Sequence, residues 1–166
     1  GIHPNAILQF DTLPTSVQKK ISQLTSAYES PKEYYIEKLT EGIATIAGAF
    51  YPKPIIVRFS DFKSNEYANL LGGKYFEPHE ENPMLGYRGA SRYLSKDFHD
   101  AFVLECDAIK RVRLKLGLTN TQVMFPFVRT LKEAEALVAL LKSQGMERGK
   151  NDLKLYMMCE IPSNAV

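Results

Sequence analysis

With 166 residues, 45% of them hydrophobic and 24% charged, the chain has the size of one ordinary globular domain and enough apolar side chain for a substantial core, so disordered and fibrous classes are excluded. Lys and Arg total 21 against 19 Asp and Glu, a net charge of +2 spread along the length, which leaves no strong field to draw in nucleic acid or a membrane surface. No apolar run approaches the roughly 18 residues of a membrane span, and Gly1-Ile-His-Pro-Asn5 lacks the basic-then-apolar pattern of a leader, so a cytoplasmic setting is expected.

Taken in chain order, Val17, Ile21 and Leu24 mark a first amphipathic segment. Ser30-Pro-Lys-Glu33 then supplies an N-cap, a proline at the first helical position and a glutamate at the third. The helix it opens should run to about Phe50, with Ile36, Leu39, Ile43, Ile46 and Phe50 on one face packed on a sheet. A first strand is expected at Ile55-Ile-Val57. From Ser60 to about Asp97 glycine, proline and charged residues break any apolar period, and a loop of that length in a compact domain points to function.

Phe98, Phe102, Cys106, Ile109, Val112 and Leu116 outline the next helix, stopped at Gly117. Within it, Lys110-Arg-Val-Arg-Leu-Lys115 reads as a solvated helix face rather than a nucleic-acid stripe, because Val112 and Leu114 interrupt it. A second strand over Gln122–Val128 leads into a capping box, Thr130-Leu-Lys-Glu133, whose helix carries Leu131, Ala134, Val138 and Leu141 on one face and Gly145 as C-cap. A third strand spans Leu153–Cys159. The strands are apolar almost throughout, as in a parallel sheet covered on both faces, and strand, helix and strand form a βαβ unit. Cys106 and Cys159 have no metal-type spacing and are expected as buried reduced thiols.

Two strand ends carry charge. Pro54-Ile-Ile-Val-Arg-Phe-Ser-Asp61 delivers Arg58, and Leu153-Lys-Leu-Tyr-Met-Met-Cys-Glu160 delivers Glu160, both toward the carboxyl side where α/β sheets place their chemistry. A cation and a carboxylate facing one cleft, presented by neighbouring parallel segments, suit an anionic substrate with a metal. The third strand lies next to Ile161-Pro-Ser-Asn-Ala-Val166 with nothing after it to cover its edge, so a larger parent domain is expected.

Four stretches carry a specific resemblance: Val57-Arg-Phe-Ser-Asp-Phe-Lys-Ser-Asn-Glu-Tyr67, Glu81-Asn-Pro-Met-Leu-Gly-Tyr-Arg-Gly-Ala-Ser-Arg-Tyr93, Phe125-Pro-Phe-Val-Arg-Thr130 and Met157-Met-Cys-Glu-Ile-Pro-Ser-Asn-Ala165. In that order and spacing they resemble the phosphoenolpyruvate synthase (pyruvate, water dikinase) family, over essentially the whole chain. The resemblance implies an α/β fold, roughly the first half of a (β/α)8 TIM-type barrel that binds phosphoenolpyruvate and pyruvate, residues 1–166 forming one partial domain. It implies a cytoplasmic transferase of gluconeogenesis that turns pyruvate, ATP and water into phosphoenolpyruvate, AMP and phosphate through a phosphohistidine. ATP binding and the phosphohistidine would lie on separate domains, and the parent would be a homodimer.

Carried over by motif, Arg58 is implied as a substrate-binding arginine and Glu160 as a ligand of Mg2+ that also contacts substrate. Arg88, in Gly86-Tyr-Arg-Gly89, is a third substrate-binding candidate. Arg92 is open between site and structure, and Arg129 stays outside the set. None of His3, His79 and His99 matches the phosphorylated histidine, and Cys159 does not match the proton-donating cysteine. That cysteine, a further arginine and a second metal-binding aspartate are expected beyond the two ends. The isolated chain is therefore expected to be inactive. Related alternatives are a pyruvate phosphate dikinase-like barrel, the enzyme that starts the sugar phosphotransferase system, or a noncatalytic assembly fragment.

Overall fold

The computed structural model describes residues 1–165. Its elements are α1 (Pro4–Leu8), α2 (Thr15–Thr25), α3 (Pro31–Phe50), β1 (Ile55–Arg58), α4 (Ser64–Ala68), α5 (Ala90–Tyr93), α6 (His99–Lys110), β2 (Thr121–Phe125), α7 (Leu131–Ser143) and β3 (Leu155–Met157), with short single-turn pieces between them. The three strands form one parallel sheet in the order β1-β2-β3. The α/β class and the βαβ unit are as expected. The strands are shorter than their apolar runs, because Pro126 ends β2 and the chain leaves the ladder after Met158, whose N–H still donates to Phe125 O at 2.9 Å.

The caps read from the sequence hold. Ser30 Oγ accepts from Glu33 N–H at 3.1 Å, and Thr130 Oγ1 accepts from Glu133 N–H at 3.2 Å while Glu133 reaches back to Arg129 and Thr130 N–H. Glu33 does not close a box of its own; its carboxylate is taken by Arg111. At the far end of α7, Met146 N–H donates to Leu141 O at 2.9 Å and Gly145 adopts a φ of +81°, the expected glycine cap.

Burial corrects several faces. Ile36, Ile43 and Ala47 of α3 are buried while Ile46 and Phe50 are exposed, and the helix packs along α6 as well as on β1 rather than on the sheet alone. In α7 the buried stripe is Leu137 and Leu141, with Leu131 75% exposed at the first turn. The sheet is not covered on both faces. The row Val57–Val123–Leu155 turns into the main core, whereas the row Arg58–Met124–Tyr156 lies on the more open face, where Ile56 and Tyr156 are exposed. Cys106 is buried as expected, but Cys159, beyond the end of β3, is exposed; both are free thiols.

The basic run after α6 also departs from expectation. It winds as a π-type segment, Arg111–Lys115, that buries Arg113 to 3% exposure. The guanidinium donates to Thr119 O at 2.7 Å, to Asn151 O at 2.6 Å and to Thr121 O. It thus satisfies carbonyls of the turn into β2 and of the loop before β3, while Val112 is buried beside it and Leu114 and Lys115 face water.

Residues Ser60–Asp97 are more ordered than their composition suggests. Arg92 is fully buried, bidentate to Glu77 at 2.7 and 2.8 Å, with its guanidinium over the Tyr87 ring at 4.1 Å and the Tyr67 ring at 4.4 Å. His3 Nδ1 accepts from Asn5 N–H at 3.1 Å, which leaves Nε2 to donate to Glu77 Oε1 at 2.8 Å. Burial pushes the Glu77 carboxyl up, and the hydrogen bonds from His3 and Arg92, with the charge of Arg92, outweigh it, holding the group below the usual carboxylate range. Arg92 therefore ties the loop to the N-terminal segment and takes no part in the site. Among the described residues no helix is long and apolar enough to cross a membrane.

Candidate functional site

The carboxyl ends of all three strands converge. The ladder of β1 continues one residue past the strand, with Phe59 N–H donating to Met124 O at 3.0 Å; Ser60 then turns the chain and Asp61 follows. The Asp61 side chain is 3% exposed and lies between two arginines. Arg88 grips it with both arms, Nε to Oδ1 at 2.7 Å and Nη2 to Oδ2 at 3.1 Å, while Arg58 stands farther off, Nη1 to Oδ2 at 3.5 Å, with its side chain 49% exposed. The bidentate, mostly buried pair is the strong one. Two guanidinium groups on one carboxylate leave a net positive charge, presented to solvent by Arg58.

At the end of β2, Pro126 breaks the ladder and Phe127 takes a φ of +49°, an uncommon conformation for a bulky residue. Its N–H donates to Glu160 Oε1 at 2.7 Å, its ring lies 4.1 Å from Arg88 Cζ, and its carbonyl accepts from Arg129 Nη1 at 3.2 Å. Arg129 also donates to Arg88 O at 3.1 Å and Gly86 O at 2.9 Å, so it fastens the 86–89 turn to the end of β2. From the β3 side, Asn164 Nδ2 donates to Val128 O at 2.7 Å and its Oδ1 accepts from Glu160 N–H and Ile161 N–H, both at 3.2 Å. Glu160 is thereby held toward β2.

Arg58, Arg88 and Glu160 thus share one rim and are linked by contact through Asp61 and Phe127. Arg58 and Glu160 do not come from neighbouring strands, because β2 runs between β1 and β3; two strand spacings set their backbones about 10 Å apart. Asp61, Phe127, Arg129 and Asn164 were missed as site-building residues. Asp61 stands three after Arg58 and Asn164 two after Pro162, spacings that mark turns but do not reveal their partners.

Beneath the rim, Glu105 of α6 is 5% exposed and accepts from Ser60 N–H at 2.9 Å and from Ser60 Oγ. Burial pushes its carboxyl above the usual range, and the Ser60 donors pull it partly back.

Among the described residues no three or more His, Cys, Asp and Glu side chains are gathered as a metal cluster. Glu160 is exposed and uses Oε1 for Phe127, with no hydrogen-bond partner on its other oxygen among the described residues. Magnesium takes one or two protein carboxylates and completes its shell from substrate and water, and an exposed carboxylate such as Glu160 is of the donor type that fits it.

The sequence matches the PEP-utilising enzyme, PEP-binding domain, over residues 14–166. It is 58% identical over 166 residues to the phosphoenolpyruvate synthase of Escherichia coli (strain K12), covering 100% of this chain and 21% of that protein. The phosphoenolpyruvate synthases of Neisseria meningitidis serogroup B (strain ATCC BAA-335 / MC58), 59% identical, and Pseudomonas aeruginosa (strain UCBPP-PA14), 58% identical, match with the same shares of both chains. The chain spans about a fifth of the length of these relatives. The resemblance carried by four motifs therefore extends over the full 166 residues.

Proposed function

The chain belongs to the PEP-utilising enzymes, and on that premise we propose that it is the part of a phosphoenolpyruvate synthase that binds phosphoenolpyruvate and pyruvate. Its sheet is then roughly the first half of a (β/α)8 barrel. The open row Arg58–Met124–Tyr156 supports this, since a closed barrel would turn that face inward and fill it with side chains of further strands. The reaction is conversion of pyruvate, ATP and water to phosphoenolpyruvate, AMP and phosphate, with ATP and a phosphohistidine on other domains of a cytoplasmic, homodimeric parent.

One observation carries the reading: a contiguous Arg58–Asp61–Arg88–Phe127–Glu160 cluster at the carboxyl ends of parallel strands. Arg58, half-exposed and only loosely held, is free to fork onto phosphate or carboxylate oxygens. Arg88, locked on Asp61 and stacked on Phe127, supplies fixed positive charge behind it. Phosphoryl transfer asks the protein mainly for positioning and charge, and the two guanidinium groups meet the negative charge that develops on the substrate oxygens. Glu160 would hold Mg2+ at the same rim, where the ion would supply Lewis-acid stabilisation of charge on a bound anion.

The test is Arg58→Ala in the intact protein, with phosphoenolpyruvate affinity measured by calorimetry and turnover of pyruvate and ATP measured in parallel. Loss of a preorganised charge donor should cost about 100-fold or more in activity. Affinity and turnover close to those of the unaltered protein would remove Arg58, and with it this reading of the site.

A further inference from the structure

Ser60 is the hinge between the strand that carries Arg58 and the carboxylate that holds both arginines, and every polar group it has is engaged. Its N–H donates to Glu105 Oε2 at 2.9 Å, its Oγ donates to Glu105 Oε1 and accepts from Tyr67 OH at 2.8 Å, and its carbonyl accepts from Tyr93 OH. The preceding N–H, that of Phe59, is the last to pair with β2. Ser60 N–H, which by strand alternation points away from β2, is received by Glu105 instead.

A carboxylate in the middle of α6, among Phe102, Cys106 and Ile109, is a costly choice for a core position. An apolar residue there would pack as well and leave Ser60 N–H unpaired. From these contacts we propose that Glu105 is a positioning residue of the anion site: by taking Ser60 N–H and Oγ on one buried carboxylate it fixes the turn that aims Asp61, and through Asp61 the guanidinium groups of Arg58 and Arg88. The proposal deepens the phosphoenolpyruvate reading and rests on it for the identity of the anion, but the contacts on which it stands do not depend on that anion.

Glu105→Gln is the sharper variant. Its amide can still accept from Ser60 N–H, but it presents an N–H to an Oγ that already accepts from Tyr67, and Ser60 O–H loses its acceptor. Ser60→Ala is the milder one, removing the Oγ contacts and keeping the backbone bond. Both are made in the intact protein, and two quantities are read well below the melting temperature. The first is phosphoenolpyruvate affinity by calorimetry. The second is the rate at which phenylglyoxal modifies Arg58 and Arg88, followed by peptide mass spectrometry with exposed Arg148 as internal control.

The expected result is at least a tenfold weaker affinity in Glu105→Gln, a smaller loss in Ser60→Ala, and a several-fold faster modification of Arg58 and Arg88 with Arg148 unchanged. Affinity and arginine reactivity within twofold of the unaltered protein in both variants, whatever happens to the melting temperature, would overturn the proposal and leave Glu105 as a core hydrogen bond. Failure of the unaltered protein to bind phosphoenolpyruvate, with the arginines still loosened in the variants, would overturn the substrate reading and support the positioning role.

Discussion

Gly89 sits where the loop carrying Arg88 meets the end of β2, and its replacement by alanine tests how tightly the site is built. Its φ of +60° with ψ of −130° is a conformation that L side chains rarely adopt. A Cβ there would lie 2.4 Å from Pro126 O and 2.7 Å from Phe127 Cβ, neither of which can rotate away. The backbone strain alone costs of order 1–3 kcal/mol, and overpacking against a fixed wall adds about 1–3 kcal/mol. Gly89→Ala should therefore destabilise by roughly 3 kcal/mol or more, a fall in Tm of about 6–12 °C for a domain of this size. Relief of the contacts requires the turn to shift by about 1 Å, which would carry Arg88 off Phe127 and Asp61 and cost about 100-fold in activity. Scanning calorimetry and, in the intact protein, steady-state turnover measure both. Gly48→Ala provides the internal control, since nothing lies within 4 Å of its would-be Cβ in the middle of the last turns of α3; it should be neutral or stabilising by up to about 1 kcal/mol. A Gly89→Ala protein as stable as the Gly48→Ala protein would refute the close approach, and with it the mechanical link between the Arg88 loop and the end of β2.

Arg113→Met should cost about 3 kcal/mol, because three carbonyls around the β2 and β3 entries lose their donor together; thermal unfolding within about 1 kcal/mol of the unaltered protein would argue against a structural guanidinium there. Glu77 sets an acid limit to stability. Its carboxyl is held below its unfolded value, so the folded state binds fewer protons, its stabilisation is complete above pH about 4.5, and it is lost as pH falls through the depressed folded value. A Tm-against-pH series should fall on that side, and the acid limb should flatten in Glu77→Gln; equal slopes in the two proteins would exclude Glu77 as the group responsible.

How far the residues announced all this differs by link of the chain. Local rules were enough for the capped helices, because Ser30-Pro-Lys-Glu33 and Thr130-Leu-Lys-Glu133 act over one turn. The three strands and their parallel sense followed from apolar runs, yet their order did not, since β2 lies between the strands of Arg58 and Glu160 that were expected as neighbours; nor did the open face, since an apolar residue such as Ile56 has the same letter whether a helix or further chain covers it. Arg113 was misread for a related reason: its three carbonyl partners come from residues six, eight and 38 positions away, and no periodicity encodes that. At the site, Arg58, Arg88 and Glu160 were picked by motif and do share a rim. Asp61, Phe127 and Glu105, which hold them there, were not, because a holding residue is defined by contacts across the fold rather than by its chemical type.

Phe127 shows what that holding accomplishes. A φ of +49° in a bulky residue stores of order 1–3 kcal/mol and persists only if its surroundings impose it. In a strand, successive groups alternate sides and could not serve the three partners at once. Turned as it is, Phe127 gives its N–H to Glu160, its ring to Arg88 and its carbonyl to Arg129. Each contact crosses to a different segment: the loop after β3, the 86–89 turn and the approach to α7. The charge-assisted bond from Phe127 N–H to Glu160 and the cation on its ring together offset the stored strain. One strained residue at the end of the central strand therefore couples the carboxylate on one flank to the guanidinium groups on the other. Two groups about 10 Å apart along the sheet are in this way held on one rim.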